Sequence, residues 1–133
     1  MSDSWWREAA SDPLLSIGNH GWDHAHPDLG YDPGSFLDVN DQEQCELQVV
    51  RSADYIEQTA GLRPDLYAYP FGQSSDYLRT RFFPEKSPLH RCRAAFGTRP
   101  GAVTRESDRW NLPRFVCGRD WRTPAELLAL LEK

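Results

Sequence analysis

The feature that most constrains this chain is the apolar face of residues 41–60, set between two short runs that read as strands. Cys45, Val49, Ala53, Ile56 and Ala60 recur at steps of three and four, which places them on one stripe of an α-helix. Asn40 stands where a cap is expected, with Glu43 at the capping-box position, and Gly61 and Pro64 end the pattern. Before this helix, residues 14–19 run into Gly18-Asn19 and predict a buried strand. After it, residues 65–70 alternate as a strand and break at Pro70-Phe71-Gly72. A helix between two strands is a crossover unit, and it predicts an α/β fold with a largely parallel sheet.

The rest of the chain continues the alternation. Residues 4–11 predict a short helix stopped by Asp12-Pro13. Residues 25–39 carry Pro27, Gly30, Pro33 and Gly34 and predict an irregular loop. Ser74 to Phe83 reads as a helix ending at Pro84, and residues 93–98 and 112–117 as strands. Thr123, Pro124 and Glu126 open a last helix as cap, first helical residue and capping-box partner. No internal repeat or low-complexity linker divides the 133 residues, so one domain over 1–133 is expected.

Composition excludes several classes. A net charge of −5 argues against a nucleic-acid partner. No apolar run reaches the ~20 residues of a membrane span. No basic start and apolar core mark a secretory signal, so a cytoplasmic location is the default expectation. Cys45, Cys92 and Cys117 are odd in number and form no C-x-x-C pair, which predicts reduced thiols rather than a disulfide framework.

In a parallel sheet, chemistry gathers at the carboxyl ends of the strands. His20 and His24 follow one predicted strand end, and Tyr69-Pro70-Phe71-Gly72 follows the next. Imidazole is the commonest ligand for zinc-like metals, and a close pair can share one ion. His26 is either a third nitrogen or an ordinary loop histidine; His90 reads as a loop residue. The Tyr69–Gly72 turn either closes a packed strand end or aims a backbone N–H at a developing oxyanion. Arg114, inside an otherwise apolar run, either orients a carboxylate of the site or joins a structural ion pair. Tyr69, Trp22 and Trp121 are the candidate aromatics for a substrate. For Trp121 the competing reading is packing over the start of the last helix.

Together these motifs resemble the polysaccharide deacetylases, the nodulation-type deacetylases of carbohydrate esterase family four. Ile17-Gly18-Asn19-His20-Gly21-Trp22-Asp23-His24 is similar to their histidine motif, in which both histidines ligate the metal. Tyr67-Ala68-Tyr69-Pro70-Phe71-Gly72 is similar to their Y-P-[YF]-G motif, whose backbone N–H after the proline helps hold the oxyanion, a role the resemblance gives to the Phe71 N–H. Leu112-Pro113-Arg114 resembles their late L-P-R strand. The resemblance implies an incomplete (β/α) barrel. It also implies metal-dependent removal of acetyl groups from N- or O-acetylated carbohydrate, with a divalent metal, zinc by expectation.

The chain departs from the pattern at the catalytic carboxylates. The family's T-F-D-D-G-type strand end supplies the base and the third metal ligand, and no Asp-Asp pair occurs in these 133 residues. Its late L-x-H motif, the source of the acid, is replaced by Phe115-Val116-Cys117-Gly118, and its R-x-P-[YF] arginine by Tyr67 or Ala68. Asp12, Asp23 and Asp28 are the nearest carboxylates, and Asp23 is expected to point away from a metal held by both histidines. The expectation is therefore an amino-terminally truncated barrel lacking its first strand or strands. It would hold metal weakly or not at all, be inactive by itself, and self-associate through an open sheet edge. The alternative is a non-catalytic remnant that binds carbohydrate or a protein partner.

Overall fold

Asn19, β1 (Leu66–Ala68), β2 (Ala94–Phe96) and Leu112 lie side by side and parallel at the centre of the molecule. This computed structural model describes residues 4–31 and 34–132. Asn19 N–H donates to Leu66 O at 2.9 Å and Ala68 N–H to Asn19 O at 2.8 Å, so the histidine loop is hung directly on β1. Leu66, Tyr67 and Ala68 pair with Ala94, Ala95 and Phe96. Leu112 N–H donates to Ala95 O at 2.8 Å on the far side of β2. Side chains alternate across a strand, and here the buried face carries Tyr67 and Ala95 while Leu66, Ala68, Ala94 and Phe96 face a half-open side.

Helices cover the buried face. α1 (Ser4–Ser11) packs on the carboxyl half of α2, the helix over 42–60. α3 spans 76–85, the short α4 is Ser87–His90, and α5 is Pro124–Leu131. The core is aromatic: Phe83 stacks on Trp110 at 5.1 Å and meets Tyr67 at 5.5 Å and Tyr69 at 5.9 Å. Cys45 and Val49 of α2 and Phe36 of the preceding loop complete it, all fully buried. Among the described residues no helix is long and apolar enough to cross a membrane.

The helix over 41–60 forms as its periodicity predicts, with two local differences. The cap is Asp41, whose carboxylate accepts from Gln44 N–H at 2.8 Å, while Asn40 donates its N–H to Gln44. The cap therefore sits one residue later than Asn40, and Gln44 reaches back past it to Asn40 N–H in place of a reciprocal box. The middle of α2, Glu46–Arg51, widens into a π-helical turn. A second widened turn, Leu78–Phe82, explains why α3 runs past Pro84: Phe83 N–H reaches Leu78 O, so the ladder makes room for a residue with no N–H.

Two predicted strands shrink to single bridges. Of residues 14–19 only Asn19 pairs. The Asp12-Pro13 turn captures the N–H groups of Leu14 and Leu15, leaving their side chains 91% and 58% exposed. Of residues 112–117 only Leu112 joins the sheet, since Pro113 has no N–H to continue the ladder. The irregular loop over 25–39 holds two short 3-10 turns, Pro27–Leu29 and Phe36–Asp38; its residues 32 and 33 lie outside the described residues. Cys45 and Cys92 are buried thiols, each pushed up to about 12 by burial, and Cys117 is exposed; none is in a disulfide.

The histidine loop is locked to α2 by buried polar side chains. Asn19 donates to Val49 O at 2.8 Å and accepts from Ser52 Oγ at 2.7 Å and Gly21 N–H at 3.0 Å. Gln48 donates to Asp23 Oδ1 at 2.6 Å and accepts from Trp22 N–H at 3.0 Å. Both contacts depend on the π-helical turn, which carries Gln48 and presents the Val49 carbonyl to the loop. Replacing Gln48 with alanine strands the Trp22 N–H and part of the Asp23 carboxylate. Gln48→Ala is expected to cost about 2–3 kcal/mol in urea unfolding, at an unchanged m-value.

His90, fully buried, gives a pH signature. Its Nε2–H donates to Phe83 O at 3.0 Å and its Nδ1 accepts from Cys92 N–H at 2.8 Å, so the neutral ring is satisfied at both nitrogens. Burial first, then the Arg63 charge, hold it below the ordinary imidazole value of 6.5, against the opposing Phe83 carbonyl. The unfolded chain therefore binds a proton below that value before the folded one does. Stability is full above pH 6.5 and falls as the pH drops below it. His90→Gln should flatten this fall in thermal melts taken between about pH 7.5 and 5.

Candidate active-site rim

His20 and His24 sit at the carboxyl end of the Asn19 segment, beside the turn that follows β1. His20 Nδ1 lies 2.8 Å from Ala68 O. A carbonyl only accepts, so Nδ1 carries the proton and Nε2 keeps its lone pair free. The His24 ring stands edge-on to His20, with centroids 4.6 Å apart. His24 and Ala25 both adopt left-handed backbone, at φ 64° and 49°. Two consecutive non-glycine residues in that region are strained, and the strain persists because Ala25 is buried and its N–H is held by Asp23 at 3.0 Å. Burial, then the neighbouring His20 and His26, lower the His24 pKa, with Asp23 acting against them. A neutral imidazole is the form a metal takes.

The turn after β1 completes the rim. Phe71 has φ 56°, is 59% exposed and sets its ring edge-on to His24 at 5.4 Å. Gly72 and Gln73 donate back to Tyr69 O and Pro70 O, whereas the Phe71 N–H has no acceptor among the described residues. Gly72 cannot carry a side chain here: at φ 71° its Cβ would collide with Thr98. Gly21, at φ 95°, passes close to Tyr67, Pro70 and Gln48, which keeps the two loops in contact.

The other candidates divide. Trp22 is 39% exposed, with Arg51 over its ring at 4.4 Å, and with His20, Trp6 and Tyr55 it lines an open cleft of about 310 Å³. The Asp23 carboxylate is taken up by Gln48, Tyr31 and the Ala25 N–H. Burial raises its pKa, but hydrogen bonds from Gln48, Tyr31 and Ala25 outweigh this and lower it. His26 is the loop histidine, capping Pro27–Leu29 through its ring nitrogen. Tyr69 is a correction. Expected to face substrate, it is fully buried against Phe83 and donates its hydroxyl to Trp110 O at 2.6 Å. His90 closes a helix rather than lying in a loop. Arg114 lies past the single Leu112 bridge, and its buried Nε has no acceptor among the described residues. Trp121 is tied to the 117–121 turn through Gly118 N–H and makes no contact with the two histidines among the described residues.

Sequence reasoning placed Asn19 in the histidine motif without its bonds to the long helix, and missed Gln48, Ser52 and Tyr31, which hold the histidine loop with it. The available signal was Gln48 and Ser52, a polar pair four residues apart beside the apolar stripe of α2. Two imidazoles, one with its tautomer fixed, suit a divalent metal. Among the described residues, no group of three or more His, Cys, Asp or Glu side chains could hold one. The residues present therefore fit part of a metal site and not a whole one.

Known proteins place this geometry. In solved structures the chain is similar to a polysaccharide deacetylase from Bacillus cereus, with a TM-score of 0.61 and 22% identity over 86% of this chain. It is also similar to a Bacillus anthracis protein given the same family description, with a TM-score of 0.59 and 19% identity. At these identities the likeness shows a shared fold, and the chain spans about a third of each structure, 32% of its length. The α/β architecture is thus an incomplete barrel of that type. The polysaccharide deacetylase family model matches residues 3–82, which hold the histidine loop, α2, β1 and the Phe71 turn, and this chain belongs to that family.

Proposed function

We propose that these residues form the histidine half of a site that removes acetyl groups from N- or O-acetylated carbohydrate, with the catalytic carboxylates coming from outside the 133 residues. The observation that carries this reading is the His20 Nδ1–Ala68 O bond, which fixes a free Nε2 beside His24 and the unclaimed Phe71 N–H. A divalent metal, zinc by preference for nitrogen ligands, would be held by His20 and His24 and would polarise the acetyl carbonyl and a water. The chain's own part is positional. Ala68 O orients His20, the Phe71 N–H donates to the developing oxyanion, and the exposed face of Trp22 offers a stacking surface for a sugar ring. Arg114 would orient a carboxylate supplied from elsewhere.

The second reading is a carbohydrate-binding or partner-binding remnant without turnover. It is favoured by the lack of a third ligand among the described residues. The two readings agree on what this chain does alone. Acetylated chito-oligosaccharides should release no acetate with it, even with added zinc or cobalt, and robust turnover would overturn the half-site.

Metal uptake tests the histidines directly. Calorimetric titration with zinc should show weak binding that His20→Ala and His24→Ala each reduce by about tenfold or more, with circular dichroism unchanged. Equal binding by wild type and both variants would remove the pair from the site.

A further inference from the structure

The half-open face of the sheet holds a second feature, lined by none of the residues of the histidine rim. An open cleft of about 640 Å³ lies against the half-open face of β1 and β2, with Leu66, Phe96 and Leu112 on its floor and Arg91, Arg93 and Arg109 around it. Arg91 and Arg93 immediately precede β2, so these charges stand at the amino ends of the strands. Arg93 is bonded to Asp65 at 2.5 Å. The Arg91 and Arg109 side chains have no carboxylate partner among the described residues, and both are exposed.

Their backbones are fixed. Arg91 is held at φ 56°, a left-handed conformation that asparagine or glycine would adopt more readily, with its N–H on Ser87 O at 2.9 Å. Arg109 O accepts from Ala95 N–H at 3.0 Å, which ties it to β2. The surrounding sequence is also charge-segregated. Between Arg91 and Arg122 the chain places 8 arginines against 3 acids, although the whole chain is at −5. Unpaired guanidiniums over an apolar floor, in an otherwise acidic protein, are complementary to an anion and not to a cation.

We propose that this cleft binds an organic oxyanion, a phosphate or carboxylate gripped by Arg91 and Arg109 and carried on a body whose apolar face lies on Phe96 and Leu112. The guanidinium fork matches either group in a bidentate manner, and the floor adds apolar contact that a bare inorganic ion cannot use. Arg93, already paired, borders the site without being free to grip it.

Phenyl phosphate is the probe, titrated into the whole chain at constant ionic strength. Backbone NMR shifts of residues 91–97 and 109–112 provide the readout. Saturable binding is expected, at least tenfold tighter than for inorganic phosphate or for phenol. Benzoate distinguishes a carboxylate from a phosphate ligand. The Arg91→Ala/Arg109→Ala double variant should lose at least tenfold, and Arg91→Lys/Arg109→Lys should lose less, because charge remains while the fork is gone. Arg81→Ala, at a residue paired with Glu85 on α3, should bind as wild type. Non-saturating shifts of equal size for phenyl phosphate, inorganic phosphate and phenol would overturn the proposal. So would wild-type affinity in the folded double variant.

Discussion

The side chain of Asn19 is the constraint on which the rest of the structure depends. Its backbone pairs with β1 on both sides, and its amide binds Val49 O, Ser52 Oγ and Gly21 N–H. One residue thus joins the sheet, the long helix and the histidine loop. These contacts satisfy the buried Asn19 amide, which left without partners would cost about 1–3 kcal/mol. Because the network is fully bonded, the loop has a definite position without belonging to a strand or helix. That fixed position is why His20 can meet Ala68 O while its neighbour Gly21 passes against Tyr67 and Pro70.

The π-helical turn in α2 is part of the same device. The widened turn at Glu46–Arg51 carries Gln48 to the loop, and its Val49 carbonyl accepts from the Asn19 amide as well as from Ser52 N–H. In α3 the same deformation serves packing. It lets the helix pass Pro84 and keeps Phe82 and Phe83 in register with the aromatic core. The two deformations have different causes, one a partner in the next loop and the other a proline in the chain, but the backbone solution is the same.

These deformations also mark where the sequence was readable. The periodicity of α2 and the capping box of α5 are local signals, and both helices formed. The histidine and Phe71 loops were legible because short motifs carry their own turn chemistry. Tyr69 was misread because its place depends on Phe83 and Trp110, far away in sequence, which close over it. The strand expected over 14–19 shrank because the Asp12 carboxylate and carbonyl took the N–H groups of Leu14 and Leu15. Gln48 escaped notice because a glutamine beside an apolar stripe ordinarily faces water. Its partners become visible only when the loop is folded over it.

The two ends of the parallel sheet carry opposite electrostatic arrangements, and the fold explains both. At the carboxyl end, burial and then repulsion from His20 and His26 keep His24 below its ordinary pKa, and the Ala68 carbonyl fixes the His20 tautomer, which leaves its Nε2 lone pair free. Nearby acidity is turned aside: Asp23 is committed to Gln48 and Tyr31. On the half-open face the arginines gather around Leu66 and Phe96, and among the described residues only Asp65 pairs with one of them. A rim of lone pairs draws a cation and a rim of unpaired guanidiniums draws an anion.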